Sequence, residues 1–387
     1  MSTDADVPGA DPSAEGAGPA VPGALLSRLR PSFATLVKYG VPQNAAFEAK
    51  LDANESPYTL SPELREGLAR RLADLSLHRY PDAAATQLRQ RLAASLAASP
   101  EELVLGTGSD EVIAMLINAF AGPERAVLFP GPSFVMYAIT ARSHGVRPVE
   151  VPLAADFRLD EEALRRALEA EAPAVAFYAS PNNPTGNVFD EAVLGRLARA
   201  FPATLHVVDE AYGPFRRAAG GDAPASHVGL LRTHGNVALL GTLSKIGLAG
   251  LRVGWLRARP ALAAEIEKSR QPFNLNAPAQ AAATYVLEAG EEELAARIGA
   301  IVEARGALLR GLEALPGVTP FPTEANFVLF RLAEGTDASR FKASLAERGV
   351  AVRVFTRHPR LAGHVRVTVG TPEENALFLL ALAELLA

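Results

Sequence analysis

Apolar and polar positions follow two rhythms along this chain, and the changes of rhythm mark its elements. Short apolar runs at residues 102–105, 125–130, 146–151, 174–180, 205–209, 237–241 and 252–256 read as buried strands. Residues 112–120, 133–143, 161–169 and 191–201 instead carry the spacing of helices. Strand and helix in alternation predict an α/β fold with a mostly parallel sheet covered on both faces. In such a sheet, ligands gather at the carboxyl ends of the strands. Upstream, Ser61-Pro62-Glu63 opens a helix to about Leu75, with Ser as cap, Pro in the first turn and an acid behind it. Residues 85–98 read as a second helix, and residues 25–30 as a short one stopped by Pro31.

After about Phe273 the rhythm changes. A long helical stretch at 279–315, broken near Gly290, leads to a strand at 325–330. A helix at 339–348, strands at 350–354 and 364–369, and a closing helix at 373–386 follow. These make a smaller α+β unit. No internal repeat is visible.

Composition narrows the function. Of 387 residues, 49% are apolar, enough for a sizeable core. The formal charge of −5 comes without a basic stripe, which argues against nucleic acid as the main partner. Cysteine is absent, so disulfides and thiolate metal sites are excluded. The seven histidines form no HExxH or HxH group, so no metal site is expected. Residues 1–24 hold almost no large apolar side chain and read as a disordered tail. That tail has neither a basic n-region nor an apolar h-region, and no run is long enough to span a bilayer. The expectation is a soluble, cytoplasmic protein.

The chemistry collects at predicted strand ends. Thr242-Leu243-Ser244-Lys245 follows the run 237–241 and precedes a glycine-punctuated turn closed by Arg252. A lysine amine condenses with an aldehyde to a Schiff base. Hydroxyls and an arginine beside it suit a phosphate. Together they suggest pyridoxal phosphate, although a lysine at a strand end is also an ordinary surface residue. Gly106-Thr107-Gly108-Ser109-Asp110-Glu111 joins a strand to a helix, and the free amides of a first turn cradle anions. It lacks the third glycine of a dinucleotide loop and the Lys of a Walker loop. A helix cap without a ligand would look the same. Ser180-Pro181-Asn182-Asn183-Pro184-Thr185-Gly186 ends another strand, either as a plain turn or with an Asn amide held toward a ligand. Asp209 follows three buried apolar residues, where an acid must be paired. A pyridinium nitrogen is one suitable partner, and capping of the next helix is the other reading.

These stretches together resemble the fold-type I PLP-dependent aminotransferases of class I/II. Further matches are Leu51-Asp-Ala-Asn-Glu55, Arg79-Tyr-Pro-Asp82, Ala325-Asn-Phe-Val-Leu-Phe330 and Val365-Arg-Val-Thr-Val-Gly-Thr-Pro-Glu-Glu-Asn375. All run in family order from about residue 50, and within the group the likeness is greatest to the histidinol-phosphate branch. The resemblance implies a large domain (51–275) with a seven-stranded sheet. It also implies a small domain (276–387) joined by an arm (25–50), and a homodimer. It implies that Lys245 holds the cofactor and moves the substrate's proton, and that Asp209 pairs with the pyridine nitrogen. Asn183 and Tyr212 would bond the phenolic oxygen. Ser109, Asp110, Thr242, Ser244 and Arg252 would hold the phosphate, with Tyr80 reaching it from the neighbouring subunit. Phe134 would stack on the ring. Arg366, Arg353, Tyr39 and Asn54 would face the substrate. The implied reaction exchanges an amino group between L-histidinol phosphate and 2-oxoglutarate. An aromatic amino acid aminotransferase or a threonine-phosphate decarboxylase shares the same motifs.

Three details depart from the usual pattern. Six residues separate Lys245 from Arg252, one fewer than is usual, so a tighter turn is expected there. Phe134 stands where a Tyr is frequent, and the asparagine loop reads Asn54-Glu-Ser-Pro57 rather than Asn-Glu-Asn-Pro.

Overall fold

The computed structural model describes residues 21–36, 47–217 and 226–386. The predicted tail up to residue 20 lies outside them, and the short helix read at 25–30 runs over Gly23–Leu26.

Seven strands form the large sheet: β1 (Leu103–Thr107), β2 (Ala126–Gly131), β3 (Arg147–Pro152), β4 (Val175–Ala179), β5 (Leu205–Asp209), β6 (Val237–Thr242) and β7 (Val253–Arg257). Their order is β1-β7-β6-β5-β4-β2-β3. Neighbours pair in parallel from β6 to β3, whereas β7 runs antiparallel to both β6 and β1. The period of two decides which face each side chain covers. Val175, Phe177 and Ala179 enter one apolar cluster, while Ala176 and Tyr178 enter the other. On the first face the helix Gly108–Phe120 packs with Val112, Ile113 and Leu116. On the second, the helices Glu161–Glu171 and Glu191–Ala200 bring Leu164, Leu168, Leu194 and Leu197. The central strands Val175–Ala179 and Val237–Thr242 are buried at every position because both faces are covered.

The small unit holds β8 (Val318–Pro320), β9 (Phe327–Leu332), β10 (Arg353–Val354) and β11 (His364–Thr368), ordered β10-β11-β9-β8 and antiparallel throughout. Its core takes residues from both parts of the chain: Ala49 and Leu51 pack with Phe327, Phe330, Val365, Val367 and Phe378. Two strands differ from the sequence reading, and the helices Val228–Thr233 and Pro260–Glu267 are absent from it. The strand expected over 350–354 is two pieces in two sheets, since Val350–Ala351 pairs with Ala49–Lys50 while Arg353–Val354 joins β11. Val352 between them is fully buried, so the apolar pattern carries no mark of the crossing. Short β8, ending in a proline, gave no periodic signal.

Local chemistry explains the helix ends. Ser61 caps the helix Pro62–Ala73, its hydroxyl accepting the Leu64 amide at 3.3 Å. The long helical stretch splits at Gly290 into Ala277–Ala289 and Glu291–Glu313. A Cβ at Gly290 would lie 2.8 Å from both Leu64 Cδ1 and the Val286 carbonyl, so only glycine admits that approach.

Candidate active site

The carboxyl ends of β1, β2, β4, β5 and β6 open, with the start of β7, onto one cavity of about 340 Å³. Arg353, Phe355 and Arg366 of the small unit close its far side, with residues 52–54.

Lys245 sits in a single helical turn (Ser244–Ile246) directly after β6. Its Nζ lies 5.7 Å from the centre of the Tyr212 ring. Of the hydroxyls before it, that of Thr242 is tied to β7. Thr242 Oγ1 is 2.8 Å from Ser244 Oγ and 3.0 Å from the Val253 carbonyl, and accepts the Ser244 amide at 3.1 Å. Gly247 (φ 101°) ends that turn, and the short link then makes a second one, Ala249–Leu251. Arg252 itself adopts a left-handed φ of 52°, and this delivers its side chain to the cavity despite the missing residue.

Asp209, the last residue of β5, is 4% exposed. Its Oδ2 accepts from Tyr137 Oη at 2.7 Å and its Oδ1 from the Ala211 amide at 3.0 Å. The capping reading therefore holds for one oxygen. Burial pushes this carboxyl up to about 6, assisted by the charges of Asp110 and Glu210, while the two donors pull it the other way. The fully buried Tyr137, stacked on Phe177 at 4.8 Å, is itself pushed up by burial and by the carboxylate beside it. A carboxylate so placed suits a cation arriving from the cavity.

Ser109 and Asp110 occupy the first turn of the helix Gly108–Phe120, whose free amides face the same space. Two glycines keep that cradle open. A Cβ at Gly108 (φ 75°) would meet Arg252 Nη2 at 2.5 Å, and one at Gly254 would meet the Ser109 amide nitrogen at 2.3 Å. Arg252 Nη2 donates to Asp110 Oδ2 at 3.0 Å, so the cation already stands at the rim. Glu111, in the place of the third glycine, accepts from Asn274 Nδ2 at 2.8 Å and does not intrude.

Arg366 is 7% exposed on β11. Its fork donates to Asn183 Oδ1 at 2.6 Å and to the Asp52 carbonyl at 2.7 Å, over the ring of Phe327 at 5.3 Å. Arg353 is its cross-strand partner and lines the cavity too. Asn54, expected to face the substrate, lies in the cavity wall with its Nδ2 donating to Tyr212 Oη at 2.8 Å. Phe134 forms part of the same wall, edge-on to Tyr137.

The structure thus brings Lys245, Asp209, Tyr212, Ser109, Asp110, Phe134, Asn183, Thr242, Ser244, Arg252, Arg366, Arg353 and Asn54 to one cavity. Tyr80 is not among its walls; it is 81% exposed and stacks on Phe273 at 4.6 Å. Tyr39 lies outside the described residues. Sequence reasoning missed Phe355 and His358, from an irregular segment, and Leu361, from the single turn Pro359–Leu361 that follows; neither stretch has a periodic signal. It also missed Tyr137, the anchor of Asp209, which reads as one more apolar position of a helix.

The sequence profile of the family described as aminotransferase class I and II matches residues 48–382. The chain is 41% identical over 374 residues to the histidinol-phosphate aminotransferase of Methylibium petroleiphilum, covering 96% of this chain and 98% of that one. It is 43% identical over 357 residues to histidinol-phosphate aminotransferase 2 of Nitrosococcus oceani, covering 92% and 96%. Among solved structures, the histidinol-phosphate aminotransferase of Sinorhizobium meliloti in complex with pyridoxal-5'-phosphate superposes with a TM-score of 0.80. That match is 27% identical and covers 93% of this chain and 98% of that one.

Proposed function

The chain belongs to the class I and II aminotransferases, and from that premise we propose that it uses pyridoxal phosphate to exchange an amino group between L-histidinol phosphate and 2-oxoglutarate. The observation that carries this is the convergence of Lys245, buried Asp209 and the glycine-lined anion cradle on one cavity. The residues fit the cofactor at both ends: a cradle that a Cβ would fill for the phosphate, and a raised carboxylate for the ring nitrogen.

When bound, the cofactor supplies a sink for the electrons of the substrate's Cα–H bond. The protein does the rest. Lys245 Nζ holds the cofactor covalently and, once released, takes the proton from the substrate α-carbon. Asp209 keeps the pyridine nitrogen protonated, and the cation in turn relieves the cost of a buried carboxylate. Asn183 and Tyr212 bond the phenolic oxygen. The amides of Ser109 and Asp110, the hydroxyls of Thr242 and Ser244, and Arg252 hold the phosphate. Phe134, in the cavity wall, would supply the apolar contact for the ring. Arg366, with Arg353, receives the anionic group of each substrate in turn: the carboxylate of glutamate and the phosphate of histidinol phosphate. The enzyme works as a cytoplasmic homodimer in which the exposed Tyr80 reaches the phosphate of the neighbouring subunit, and Tyr39 joins the substrate site. Among the described residues no helix is long and apolar enough to cross a membrane.

The test is a single-turnover panel on the cofactor-loaded enzyme without acceptor. Histidinol phosphate should abolish the cofactor's visible band, and 2-oxoglutarate should restore it. Conversion by phenylalanine or phosphothreonine while histidinol phosphate leaves the band untouched would refute the substrate assignment.

A further inference from the structure

The contact between Asn54 and Tyr212 has a direction that can be read atom by atom. The Asn54 amide N–H donates to Thr368 Oγ1 at 2.9 Å, which occupies that hydroxyl's acceptor side. The hydroxyl's own proton goes to Asn54 Oδ1, at 3.2 Å. The carboxamide oxygen is thereby turned toward Thr368, and Nδ2 is turned toward Tyr212 Oη at 2.8 Å. Tyr212 accepts in that contact, so its own proton is left for a group in the cavity that Lys245 also lines. Water does not compete, because Asn54, Thr368 and Tyr212 are 1%, 2% and 6% exposed. The backbone is held as firmly. Asn54 has a left-handed φ of 55°, a conformation Asn tolerates better than most residues, and Asn326 Nδ2 donates to its carbonyl at 3.1 Å.

We propose that Asn54 is a positioning residue: through Thr368 it fixes the direction of the Tyr212 hydroxyl proton and aims it at the phenolic oxygen of the cofactor. The proposal rests on the reading of the cavity as the pyridoxal phosphate site. A proton donated there favours the anionic phenolic oxygen. The lysine–cofactor linkage then loses its own proton at lower pH.

The readout is the pH midpoint of the visible band of the loaded enzyme, with cofactor affinity measured alongside. Asn54→Ala removes the directing donor and should raise the midpoint by about half to one pH unit. Asn54→Asp presents only acceptors, captures the tyrosine proton and should raise it further. Thr368→Val frees the carboxamide to turn and should give a smaller rise in the same direction. It also serves where an Asn54 variant fails to fold. A purely structural role would lower cofactor affinity in all three variants without this ordering. A midpoint that stays within a tenth of a unit, or that falls in Asn54→Ala, overturns the proposal. Wild-type protein with no visible band would instead overturn the cofactor reading beneath it.

Discussion

Replacing Asp209 by asparagine should stabilise the cofactor-free protein while disabling the loaded one. The folded carboxyl titrates near 6 against an ordinary value of 3.8. At about 1.36 kcal/mol per pH unit, that gap corresponds to about 3 kcal/mol. The sign follows from proton counts. Between the two values the folded state holds the proton and the unfolded state does not, so stability falls as pH rises from 4 to 6 and is flat above. At pH 8 the wild type bears the full cost, and at pH 5 about half of it. An amide bears none: its oxygen accepts the Ala211 amide and its NH₂ donates to Tyr137 Oη, but the buried tyrosine proton then loses its acceptor, which offsets about 1–3 kcal/mol of the gain. Asp209→Asn should therefore exceed the cofactor-free wild type by up to about 2 kcal/mol at pH 8, and the difference should shrink by about 1.4 kcal/mol at pH 5. On the proposed pairing of Asp209 with the ring nitrogen, the order should reverse in the loaded enzyme and kcat should fall about 100-fold or more, because that nitrogen loses its counter-charge. Urea unfolding of both proteins, with and without cofactor, at the two pH values measures this. A cofactor-free variant less stable than wild type at pH 8, or a difference that does not change with pH, would refute the account of Asp209.

Two further perturbations test the cradle and the anion site. Gly254→Ala places a Cβ 2.3 Å from the Ser109 amide nitrogen and 2.4 Å from the Gly108 carbonyl carbon, so backbone must move. The cofactor dissociation constant should rise about 100-fold with the far-UV spectrum unchanged, and a change below threefold would contradict the cradle. Arg366→Lys loses the fork that spans Asn183 and the Asp52 carbonyl, and kcat/KM should drop about 100-fold for glutamate and histidinol phosphate alike. A loss confined to one substrate would show that a single residue does not serve both anions.

Much of this was legible because the chemistry sits where the apolar runs stop. Asp209, Thr242 and Lys245 each interrupt or follow a buried strand, where a polar residue needs a reason. The parallel core was legible because a strand buried on both faces is apolar at nearly every position. Direction was not. Val253–Arg257 is as apolar as its neighbours, and only the turn from Lys245 to Arg252 sends it back antiparallel. The division of residues 350–354 between two sheets left no trace for a similar reason, since Val350, Ala351 and the crossing Val352 are all buried and run on into apolar Val354. Asn54 shows a different limit. Its polar surroundings gave only a loop and the family resemblance implied a substrate contact, while its hydrogen bonds to Tyr212 and Thr368 depend on segments more than 150 residues away.

The central claim is that the Lys245 amine captures the cofactor's aldehyde. Purified protein incubated with pyridoxal phosphate, reduced with borohydride and digested should carry one phosphopyridoxyl group on the peptide containing Lys245. A protein that stays unlabelled, or a label on another lysine with Lys245 unmodified, would contradict it.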